Sequence, residues 1–359
     1  MRSYEDCQIG GALPITRVAV ASEAQMLDPV PGRRMEMPGF EPRFVDFPDY
    51  IFRITDDIWH KRDLEYISGC YAEDCIIHTQ TQTGVATKAR AVIDATAATL
   101  VSFPDRRLDA DNVIWSRAPD PAGDYFYSSH RITSKMTNAG DSEFGPATGR
   151  NVRVTTFAET MCRDNDIFEE WLVRDYGAMV VQMGLDPMTV AKRAAEADRK
   201  AGVSIHDAHA PNRESMDTHT ARVCTDSERV VMALLGSGWA DESLYDYRVR
   251  GDYPYGRNLY GPDQIAASRA DWLQGLSDVR FRADHICEVP YLGEAVDVAL
   301  RWSMTARHTG EGRYGAPTGE TLYILGVSHF RILNGLIREE ATLWDDIGVM
   351  RMVEGLRDG

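Results

Sequence analysis

The chain has 359 residues, 43% hydrophobic and 26% charged, with 39 basic against 55 acidic side chains and a formal net charge of −16. That length suits two cores of about 150 residues rather than one. The acidic balance argues against nucleic acid, since phosphate binding is driven by clustered Lys and Arg, and no apolar run approaches the roughly 20 residues that span a bilayer.

The opening stretch MRSYEDCQIGGALPITRVAVASEAQ carries charges where an export signal needs an unbroken apolar segment. The six cysteines are scattered without CxxC spacing, which fits reduced thiols and a cytoplasmic location. Residues 1–46, rich in Pro, Gly and Met, read as an arm that is packed on the body or partly mobile. From Asp49, apolar residues at Ile51, Ile54, Ile58, Trp59, Leu64 and Ile67 predict a helix running toward Cys75, and KARAVIDATAATLVSF predicts a second over 88–103. After Pro104 come four strand-like runs, NVIWSRA, DYFYSSHRITSKMT, NVRVTTFAETMCR and IFEEWLVRDYGAMV, bounded by Gly, Asn, Asp or Pro. Helices followed by an antiparallel meander define an α+β layout.

Residues 186–202 predict an amphipathic helix with Pro187 in its first turn. The polar connector that follows gathers His206, Asp207, His209, Asp217 and His219; these are metal-ligand residue types, but without a framework to fix their geometry a solvated loop is expected. The order restarts at Ser227 with helices SERVVMALLGSGWADESLYDY and GPDQIAASRADWLQGL, then strands VRFRADHICEV, AVDVALRWSMTARHT, TLYILGVSHFRIL and LIREEATLWDDIG. Placing residue n against n+170 aligns 131–179 without a gap and matches Arg131 with Arg301, Gly149 with Gly319, Glu170 with Glu340 and Asp175 with Asp345. Two copies of one unit, not a solenoid, are implied. The expected division is an arm at 1–46, domains at 47–187 and 227–352, a helix and linker at 188–226 and a tail at 353–359.

The second copy, with His-Thr-Gly-Glu at 308–311, Pro-Thr-Gly at 317–319, Asn-Gly at 334–335 and a Glu-rich strand ending in Asp345, resembles SnoaL-like polyketide cyclase and ester cyclase domains of the NTF2-like superfamily. GPATGR, DNDIFEEWLVRD and VVQMGLDP of the first copy look similar to the same family. The resemblance implies, for each copy, a cone made of a curved antiparallel sheet wrapped around N-terminal helices. It also implies a cofactor-independent enzyme, with neither metal nor organic cofactor, that moves a proton on a small organic molecule in cyclisation, isomerisation or elimination/hydration. Alternatives are a non-catalytic binding or dimerisation module and water activation like that of the epoxide-hydrolase relatives. Relatives pair through the outer sheet face, so an internal pseudo-dimer is expected, with or without further homodimerisation.

In EEWLVRD, alternation places Trp171, Val173 and Asp175 on one face. A carboxyl group desolvated by Trp and Val has a raised pKa suited to proton transfer, and the resemblance makes Asp175 and Asp345 the acid/base candidates; the alternative is a strand-end aspartate capping the next segment. The preceding strand offers Glu159 in one copy and His329 in the other, so the copies present Glu159 with Asp175 and His329 with Asp345. His78 completes the favoured first set. Trp59, His130, Arg131, Trp171 and Arg301 are candidates for contact with substrate, the two arginines either binding an anion or pairing with the Glu residues. DYPYGRNLYG forms either a lid, with Tyr253 and Tyr255 against substrate, or an ordinary packed loop.

Overall fold

The computed structural model describes residues 35–82, 87–119, 123–217 and 221–357. Most of the expected arm and His219 of the connector lie outside them. Contacts divide the chain into two units: residues through His78, Gly84–Leu172 and Val289–Glu294 form one, and Thr79–Thr83, Val173–Glu288 and the chain from Ala295 form the other.

In the first unit, helix α1 (Phe47–Thr55) starts where Asp46 accepts the Asp49 N–H, with Pro48 in the first turn, and buries Phe47, Tyr50, Ile51 and Ile54. Phe40, from the described end of the arm, packs edge-on against Phe47, Tyr50 and Phe126. The helix widens into one π turn (Asp56–His60), and a short 3-10 turn follows at Glu65–Gly69. The single helix expected through Cys75 therefore ends early: Tyr71–His78 is strand β1, paired in parallel with β5 (Asp166–Arg174). Helix α2 (Ala89–Ser102) and strands β2 (Arg107–Ala118), β3 (Tyr125–Thr137) and β4 (Asn151–Arg163) complete a sheet of order β1-β5-β4-β3-β2.

After β5 come α3 (Tyr176–Gln182) and α4 (Pro187–Ala201), then two short helices, α5 (Ile205–Ala208) and α6 (Ala210–Glu214). The connector is thus folded rather than a solvated loop. His209 is buried, stacks on Tyr323 at 4.6 Å and holds the Gln80 carbonyl oxygen at 2.8 Å from Nε2. The remainder comprises α7 (Asp226–Gly236), β6 (Tyr245–Tyr253), β7 (Arg257–Tyr260), α8 (Gly261–Leu273), β8 (Leu276–Tyr291), β9 (Ala295–His308), β10 (Thr321–Leu333), β11 (Leu336–Trp344) and α9 (Asp346–Arg357), with sheet order β7-β6-β11-β10-β9-β8. The expected tail belongs to α9 through Arg357, and the expected lid is the β6–β7 hairpin at the sheet edge.

The duplication is visible strand by strand, since β3, β4 and β5 begin 170 residues before β9, β10 and β11. The turns repeat as well. Asp164-Asn165 (φ 50° and 75°) and Asn334-Gly335 (φ 53° and 76°) both take the left-handed pair that a two-residue hairpin requires. The interiors differ. The second unit is filled by Trp239, Trp272, Trp302 and Trp344, with Trp272 and Trp344 stacked at 4.0 Å. Gly326 makes room for this: a Cβ there would lie 2.0 Å from the Trp302 ring.

Candidate active site

A cavity opens in the first unit between α1 with its π turn and strands β2 and β3, with an empty volume of about 390 Å³ including the mouth. Ile51, Phe52, Leu108, Ala110, Val113 and Ile132 make its walls largely apolar, and Thr55, Asp56, His60, His130 and Arg131 supply the polar groups. Beside it Trp59 and Leu172 pack on Leu108, Ile132 and Ala158, and the Arg106 guanidinium lies over the Trp59 ring at 4.1 Å.

Asp56 and His60 reach this cavity together because residues four apart share one side of a helix, and the π turn that holds them is a widening that recurs at functional sites. His60 Nδ1 is 3.1 Å from Asp56 Oδ1, and His60 Nε2 accepts the Leu108 N–H at 3.1 Å. The Nε2 acceptor role places the proton on Nδ1, aimed at the carboxylate. Asp56 Oδ2 also pairs with Lys61 Nζ at 2.8 Å.

His130 sits on β3 with Ser128 two residues before it on the same face. Its Nδ1 is 3.2 Å from Ser128 Oγ, which is 2.8 Å from Thr160 Oγ1. Among the described residues Nε2 has no hydrogen-bond partner, and it is the nitrogen left for an occupant. Burial holds the imidazole down to about 4, so it is neutral at pH 7. Arg131, also at the cavity, has its guanidinium 3.6 Å from Asp111.

The cavity does not bring together Asp175, Glu159 and His78. The strand alternation stops one residue short of Asp175: β5 ends at Arg174, and Asp175 is the N-cap of α3. Its buried carboxylate accepts N–H groups from Ala178, Tyr255 and Gly256, each at 2.9 Å. Burial raises its pKa and the three N–H donors oppose that rise. Asp345 repeats the geometry, accepting the Gly348 N–H at 2.9 Å. Glu159 stands opposite Ser129 on β3, out of alternation with His130. His78 pairs with Glu169 at 2.9 Å and stacks on Trp171 at 5.0 Å.

In the second unit His329 lies between Ala299 and Ala341 and is buried, and Arg301 is buried beside His285. Tyr253 is buried and Tyr255 half-buried, and their hydroxyls donate to Glu340 at 2.7 Å and Asp346 at 2.9 Å. Glu340 also accepts from Tyr245 (2.6 Å) and Thr342 (2.6 Å) and pairs with the buried Arg269 at 2.9 Å. Sequence reasoning missed Asp56 and His60; their signal was the i, i+4 Asp–His spacing in DDIWH.

Fold and repeat together define a tandem pair of NTF2-like α+β domains. The SnoaL-like polyketide cyclase family model matches residues 49–183 and 239–353, more than half of the chain, and the chain belongs to that family. Solved structures match one domain at a time. The wild-type IdmH protein of Streptomyces antibioticus, a proposed polyketide cyclase, is 22% identical over 38% of this chain and 97% of its own, with a TM-score of 0.32. A proposed SnoaL-like polyketide cyclase from Jannaschia sp. is 17% identical over 38% and 97% (TM-score 0.32), and AclR of Streptomyces galilaeus, a proposed hydroxylase, 20% over 36% and 88% (TM-score 0.29). No curated protein matches the chain. Among the described residues no helix is long and apolar enough to cross a membrane.

Proposed function

We propose that the first unit is an acid/base catalyst that binds a small, largely apolar organic molecule in its cavity and moves a proton on it, as in cyclisation or isomerisation through an enol. The observation that carries this reading is an apolar cavity bordered by one carboxylate, Asp56, and one neutral histidine with an uncommitted Nε2, His130. Asp56, steadied by His60 and Lys61, removes the proton from carbon, and His130 holds the substrate's polar atom. Asp175 and Asp345 serve as caps, and the Trp-filled second unit as scaffold.

Deuterium exchange tests this. With small cyclic ketones in D₂O, the protein should accelerate exchange at the carbon next to the carbonyl. Asp56→Asn and His130→Gln, still folded by circular dichroism, should slow it about 100-fold, the scale of a lost acid/base group. Full exchange in both variants and its loss in Asp175→Asn would return the chemistry to Asp175. Ketone binding without exchange in the wild type would favour the non-catalytic binding module.

A further inference from the structure

We propose that His60 is a pH-sensitive clasp on the cavity: its neutral imidazole ties the π turn to edge strand β2 and holds Asp56 as a base, and protonation frees the strand and disarms the carboxylate. The inference rests on the reading of this cavity as the active site and adds its regulation.

Both ring nitrogens of His60 are in use at the cavity border. Strand β2 is the edge of its sheet, where N–H groups on the open side lack a neighbouring strand. The Leu108 N–H bonds His60 Nε2 at 3.1 Å, while His60 Nδ1 lies 3.1 Å from Asp56 Oδ1. Leu108, Asp56 and His60 all line the cavity, so the imidazole spans from helix to sheet within its wall. The direction of this bridge is fixed, because a backbone amide only donates: Nε2 carries its lone pair, and Nδ1 holds the ring proton. The side chains of His60 and Asp56 are 9% and 13% exposed, so little water is at hand to replace a lost partner.

A proton taken from solvent adds to the Nε2 lone pair and leaves two donors facing each other at Leu108. That bond breaks, and the wall between the π turn and β2 loses its tie. On the other side of the ring, the imidazolium and Lys61, whose Nζ is 2.8 Å from Asp56 Oδ2, then flank the carboxylate, stabilise its charge and make it a weaker base. One protonation thus opens the wall and lowers the basicity of the group that takes the substrate's proton.

The charged and titratable groups around the ring are Asp56 and Lys61 on its own turn, Arg106 and Asp109 on either side of Leu108, and His130 and Arg131 on β3. Arg106 lies over Trp59, Asp109 pairs with Lys135 at 2.5 Å, and Arg131 lies 3.6 Å from Asp111. Histidine is the residue type that changes charge between about pH 5 and 8. Burial keeps His130 neutral down to about 4, so His130 does not respond in that window.

Nuclear magnetic resonance of the full chain between about pH 5 and 8 tests this. The His60 ring and the Leu108 amide should titrate with one midpoint, and protection of that amide against hydrogen exchange should fall about fivefold on the acid side, the effect of one hydrogen bond. Deuterium exchange into a cyclic ketone should lose rate with the same midpoint. His60→Gln supplies a carboxamide that accepts from Leu108 and donates to Asp56 without titrating, so the Leu108 response and the acid limb should both vanish. His60→Phe does neither and should leave the Leu108 amide poorly protected at every pH. A Leu108 amide unmoved while the His60 ring titrates, a ring that does not titrate before the chain unfolds, or an acid limb unchanged in His60→Gln would overturn the inference. The two readings fail separately: coincident His60 and Leu108 midpoints without ketone exchange remove the proposed catalysis and keep the clasp, and ketone exchange with an unmoved Leu108 amide removes the clasp alone.

Discussion

His130 is shifted by burial and by no charged neighbour, which fixes the sign of its effect on stability. Its folded value of about 4 lies below the ordinary 6.5. Between those values the unfolded chain takes up a proton that the folded chain refuses, so stability falls as pH drops from 6.5 toward 4 and is level above. A shift of that size corresponds to at most about 3 kcal/mol. His285, held to about 3 by burial and by Arg301, acts with the same sign. Urea unfolding at pH 7 and pH 4.5 should therefore show a smaller acid loss in His130→Phe than in the wild type; equal losses would mean His130 is solvated. His130 was legible as a strand histidine with one inward alternative. Asp56 and His60 carried only the i, i+4 spacing of DDIWH, and a steady helical period gives no sign that one turn will widen.

Elements explain Asp175. A Trp, a Val and an aspartate at alternate positions read as one strand face, but DYGAMV carries its own helix signal, with Asp at the cap. The carboxylate then holds two separate pieces of backbone, the first turn of α3 and the Tyr255–Gly256 turn. Asp175→Ala leaves three N–H groups, that of Ala178 buried, without their acceptor and should cost about 2 kcal/mol in chemical denaturation, with Asp175→Asn costing less because one oxygen remains. An alanine variant as stable as the wild type would contradict the capping geometry. Gly177 reinforces the same junction, since a Cβ there would lie 2.7 Å from the Tyr255 ring.

At the scale of the whole molecule, the duplication was readable because turn chemistry repeats at a fixed offset, and the α+β class followed from element order. What the offset hid was that equal backbones carry unequal interiors. Ile132 and Arg174 of the first copy stand where the second has Trp302 and Trp344, a change of volume rather than of period. The buried Arg269–Glu340 pair, ringed by Tyr245, Tyr253 and Trp239, goes with that filling. Arg269→Ala would strand a carboxylate in the core, and a loss of about 3–5 kcal/mol in denaturant unfolding is expected. A loss under 1 kcal/mol would mean Glu340 is not buried as described.

Two indole rings in face-to-face contact at 4.0 Å, inclined by 23°, form one coupled chromophore. Trp272 and Trp344 should therefore give the second repeat its own near-ultraviolet dichroic band, an optical tag by which melting of that half can be followed without any label.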